Sequence, residues 1–120
     1  MAGKSVDFLV TGDPVAARVT AEQALVANGF RVTWHDAWTG TAERGSIVGN
    51  ALAGALSQYF KVGVRLMSSE TGETTVRIER QSSGMMGGLV GVSRVRRNMT
   101  ALSAQLQATF QVAGVLRGVR

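Results

Sequence analysis

Val92, Val95, Met99, Leu102, Leu106, Phe110 and Ala113 recur at steps of three and four residues, which aligns them as one apolar stripe along an α-helix. About 22 residues at roughly 1.5 Å each make a rod of roughly 33 Å, long enough to cross a whole sheet. A rod that is apolar along one side must lie on another layer, so the rest of the chain has to supply one. Gly114 provides the stop, and the VLRGVR that follows reads as a loose tail over 114–120.

The layer beneath is written in period two. Phe60, Val62, Val64 and Leu66 share one face through Tyr59 to Met67, and Val76 and Ile78 alternate with Thr75, Arg77 and Glu79. The SSETGE between them has the composition of a hairpin loop, so these strands are expected to pair antiparallel. Phe30, Val32 and Trp34 fall opposite Arg31, Thr33 and His35. An unbroken strand would carry Asp36 onto the apolar face, so a turn is expected at Asp36-Ala37, with another strand from Trp38 to Arg44.

Upstream, Val6 to Thr11 is a short apolar run closed by Gly12. Asp13 then fits an N-cap with Pro14 in the first helical position, Val15 to Ala27 continues the helix, and Asn28-Gly29 supplies a left-handed stop. In Gly45 to Ser57 the apolar Ile47, Val48, Leu52 and Leu56 suit a short helix, whereas the internal glycines suit a loop. The order β-α-β-β-β-β-α predicts a two-layer α+β sandwich in one domain, 1–120. Its antiparallel sheet has about five strands and is covered on one face by two helices.

Cysteine is absent, which excludes disulfides and thiolate chemistry. The N-terminal MAGKSVDFLVTGDP lacks the apolar core of a secretory signal and no stretch is long enough to span a bilayer, so a cytoplasmic location is expected. Net charge is +5, and its distribution is uneven because Glu79 is the last acid. Residues 1–79 carry seven basic and eight acidic side chains, whereas 80–120 carry Arg80, Arg94, Arg96, Arg97, Arg117 and Arg120 with no acid. Such asymmetry attracts phosphate, nucleic acid, anionic lipid or an acidic protein partner, or else leaves a solvated helix face.

Ahead of the long helix stands SSGMMGGLVGVSRVRR, residues 82–97. Gly87 and Gly88 offer backbone donors with no bulk, and Arg94, Arg96 and Arg97 follow at once, which is what an anion site requires. The spacing is neither a Walker A loop nor a dinucleotide fingerprint, and a second reading makes the glycines a tight turn onto the sheet. Met85 and Met86 suit closure of the core, the lip of an apolar cavity, a membrane interface or a subunit contact.

His35 stands alone, without the second histidine or cysteine a zinc site needs, and no carboxylate pair presents itself for acid–base work. Neither a catalytic group, a metal nor a cofactor is expected. Trp34 shares its face with core residues, so nucleic acid binding rests on charge alone. The chain therefore reads as a non-enzymatic binding or assembly module that contacts an anionic ligand or partner through the glycine segment and the basic helix. The alternatives are a carrier with a hydrophobic cavity between sheet and helix, and a homo-oligomer.

Overall fold

A computed structural model describes residues 5–44, 60–81 and 88–120, and side chains within the last stretch from Arg97 onward. The expected ambiguity over 45–57 lies outside the described residues. The elements are β1 (Ser5–Thr11), α1 (Pro14–Ala27), β2 (Arg31–Trp34), β3 (Thr39–Arg44), β4 (Phe60–Ser68), β5 (Glu73–Arg80), α2 (Gly88–Val112) and β6 (Leu116–Val119). They form an α+β fold: one antiparallel sheet in the order β2-β3-β4-β5-β1-β6, with both helices against the same face.

Local chemistry accounts for the first helix. Asp13 Oδ1 accepts the Ala16 N–H at 2.8 Å, Pro14 occupies the first turn, and Gly29 leaves the helix at φ +89°. The sheet-facing stripe is Ala17, Ala21, Ala24 and Leu25, all buried. Three alanines let the helix axis approach the sheet closely, and Leu25 closes the end of the stripe.

In the strands the alternation sorts side chains as the period requires. Phe8, Val62, Val64, Val76 and Ile78 are buried toward the helices, while Asp7, Arg65, Arg77 and Glu79 occupy the open face. Met99, Leu102, Leu106 and Phe110 of α2 complete the core, with the Phe110 ring centroid 5.9 Å from that of Phe8. The β2–β3 hairpin turns where Asp36 Oδ1 accepts the N–H groups of Trp38 and Thr39, each at 2.8 Å.

The tail expected after Gly114 is instead the sixth strand. Gly114 at φ +77° reverses the chain, the Thr11 N–H donates to the Val115 carbonyl at 2.9 Å, and Asp7 and Arg120 exchange backbone hydrogen bonds of 3.1 and 2.8 Å. A bulge between Leu9 and Val10 shifts the register, so Val119 faces Phe8 and Leu116 faces Val10. That irregularity removes the period-two signature from LRGV, which is why the segment reads as loose.

Candidate functional site

The two ends of the sheet differ in charge. At one end lie the finish of β3, the start of β4 and the finish of β5, because Arg44 pairs with Phe60 and Val62 with Arg80. Arg31, paired with Glu43, joins them from β2. This end therefore gathers Arg31, Arg44, Lys61 and Arg80, with Glu43 and Glu79 as its acids. The opposite end holds Asp13 at the start of α1, Asp36 in the β2–β3 turn, and Glu70 and Glu73 around the β4–β5 turn. Its described cations are Arg117, 3.8 Å from Glu73, and Arg18, whose Nη1 donates to the Ala37 carbonyl in the turn that holds Asp36 at 3.1 Å.

Helix α2 reinforces the polarity. It hands over to β6 at the acidic end, where Val115 meets Thr11. A helix of 25 residues spans roughly 37 Å, so its N-terminus returns to the basic end, with seven residues between it and the finish of β5 there. Arg94, Arg96 and Arg97 are thus carried by the part of α2 nearest that end, and Arg97 is exposed. Gly88 opens the helix, while Met85, Met86 and Gly87 lie outside the described residues, as do the side chains of Arg94 and Arg96. Because α2 begins at Gly88, the arginines sit past its first turn. The macrodipole therefore gives an anion little help there, and the clustering of charge is what remains.

Arg44 is the best-defined cation of this end. Its guanidinium carbon stands 4.8 Å from the centroid of Phe30 and 6.0 Å from that of Phe60, two rings in edge contact with each other. The rings hold the guanidinium itself, and the residue as a whole stays partly exposed.

The open face of the sheet carries a second polar region. Arg77 grips Asp7 in a bidentate pair, Nε to Oδ1 at 2.8 Å and Nη2 to Oδ2 at 3.0 Å. That hydrogen bond holds the Asp7 carboxyl below its ordinary pKa against partial burial, which acts the other way; the charges of Arg77 and Arg120 add to the lowering. Arg65 lies directly opposite Arg77 and makes no ion pair among the described residues. Beside it an open depression of about 320 Å³ is bounded by His35, Thr41, Gly63, Arg65, Glu79 and Gln81. His35 Nε2 is 3.4 Å from Thr41 Oγ1, and the Asp36 carboxylate beside it is committed to the turn, so the two form no dyad.

Trp34 is also committed. Its indole N–H donates to Glu22 Oε1 at 2.7 Å and the Arg18 guanidinium covers its ring at 4.3 Å. Base stacking on the face that Arg18 covers would require displacing that guanidinium. Sequence reasoning missed the polarity of the sheet and the Asp7–Arg77 pair because both depend on register: Asp7 and Arg77 are 70 residues apart. Among the described residues no helix is long and apolar enough to cross a membrane. No protein family model matches the chain, and a search of curated proteins returns no match.

Proposed function

We propose that the protein is a non-enzymatic binding module that docks its basic end onto a phosphate-bearing ligand or partner. The observation that supports this reading is the charge polarity of the fold. Arg31, Arg44, Lys61 and Arg80 gather at the sheet end from which α2 sets out with Arg94, Arg96 and Arg97, and four acids gather at the other end. A molecule polarised in this way is oriented by the field of an anion before contact, which raises the rate of productive encounter. Guanidinium groups then supply forked donors matched to phosphate oxygens. Met85, Met86 and Gly87 lie outside the described residues, so the reading rests on the cations of the sheet end and of α2.

A carrier of hydrophobic ligands draws no support from the packing between sheet and α2, where Phe8, Met99, Leu106 and Phe110 are fully buried against one another's layer. The test of the binding reading is a titration with a single-stranded oligonucleotide at several salt concentrations, comparing wild type with Arg94→Gln/Arg96→Gln/Arg97→Gln. The variant is expected to bind at least tenfold more weakly. Its log K against log salt slope should be shallower by about 2, roughly 0.7 for each phosphate that is no longer neutralised. Equal affinity of the two proteins, or binding that ignores salt, removes the reading.

A further inference from the structure

The outer surface of the helical layer has a different character from both sheet ends. Every exposed side chain of α1 is uncharged, and so is every exposed side chain of α2 after Arg97. Val15, Val19 and Val26 are 58%, 49% and 55% exposed on α1, and Val112 is 90% exposed on α2, where Ala101 and Ala104 are also exposed. The remaining exposed positions on this surface are alanine, glutamine and threonine. The charged residues of α1, Arg18 and Glu22, are half-buried and drawn aside to Trp34.

A solvated helix face ordinarily carries charge on a large share of its positions. We infer that this face is covered by a second copy of the chain, helical layer against helical layer. Two arguments select that occupant. A two-fold contact sets a surface against itself, so it must tolerate its own charges; in a chain of net charge +5 the uncharged helical face does so, whereas the basic sheet end would oppose like charges. The size is also close to what a specific contact needs. Side by side, α1 and the described side chains of α2 cover roughly 20 by 22 Å. That is about 450 Å² per copy in projection, or near 900 Å² for the pair before side-chain relief is added, a total close to the lower bound for a specific interface and above most lattice contacts. Edge pairing through β6 is disfavoured by its bulge and by Arg117, both of which protect a strand edge.

The contact buries valine and alanine methyl groups and leaves both basic ends free, so it stands independently of the anion-binding reading. Sedimentation velocity on the full chain, from micromolar to hundreds of micromolar, tests it. Wild type is expected to sediment at about twice the 12.7 kDa chain mass, and to do so at least as well in high salt. Val19→Glu and Ala104→Glu each place a good helix former at an exposed position, so circular dichroism should be unchanged while the dissociation constant rises at least tenfold. Arg117→Glu on the sheet edge should leave the dimer intact. A monomeric wild type, a dimer that survives both helical substitutions, or one broken by the edge substitution overturns the inference.

Discussion

Replacing Phe110 with alanine tests the packing of the long helix on the sheet. The side chain is fully buried and its ring lies 5.9 Å from Phe8, so truncation opens a cavity between two layers that cannot both collapse into it. Losses of this kind cost about 3–5 kcal/mol. With an unfolding entropy of roughly 2.1 cal/mol/K per residue, a chain of this length has about 0.25 kcal/mol/K in all. The midpoint should therefore fall by about 12–20 °C. Val112→Ala, two residues further along the same helix but 90% exposed in the single chain, is the control and, measured dilute enough for the chain to be monomeric, should change stability by no more than about 0.5 kcal/mol. Thermal melts followed by circular dichroism, with urea titrations beside them, measure both. A Phe110→Ala protein within about 1 kcal/mol of the Val112→Ala protein would show that this stripe does not pin α2 to the sheet.

Asp7→Asn should flatten the acid limb of the stability curve. The native Asp7 pKa lies below the unfolded value of about 3.9, so its contribution is complete above that value and is lost as pH falls through the lowered one. Wild type and variant melts should differ most at neutral pH and converge in acid, and parallel curves would remove Asp7 from the account. Gly40→Val should cost about 1–3 kcal/mol, since a Cβ there would stand 2.6 Å from the Thr33 carbonyl and 2.8 Å from the Trp34 ring. The indole would have to leave its bond to Glu22, so a shift in tryptophan emission should accompany the loss; unchanged emission and stability would contradict the strand register.

Much of this architecture is legible in the chain because its signals are local. Asp13-Pro14 and Asn28-Gly29 bracket α1 through backbone chemistry that needs no tertiary partner, and Phe60 to Leu66 alternate because one face of β4 is buried through that stretch. The sixth strand escapes a sequence reading because four residues that include Gly118 and pair across a bulge carry no period. Its pairing is supplied by β1 rather than by anything in LRGV. The polarity of the sheet is a property of register: Arg44, Lys61 and Arg80 become neighbours once β3, β4 and β5 are aligned, and nothing in their spacing says so. The uncharged run from Asn98 to Leu116 is plain in the sequence, but its meaning depends on knowing which of those side chains the fold leaves outside.

The most direct test of the polarity of the fold is a map of backbone amide shifts while an oligonucleotide is added to the isotope-labelled protein. Movement confined to Arg31, Arg44, Lys61, Arg80 and Arg97 is the expected result, with Gly12, Gly72 and Gly114 at the acidic end unmoved. Shifts centred on those glycines, or spread evenly over the molecule, would contradict the account.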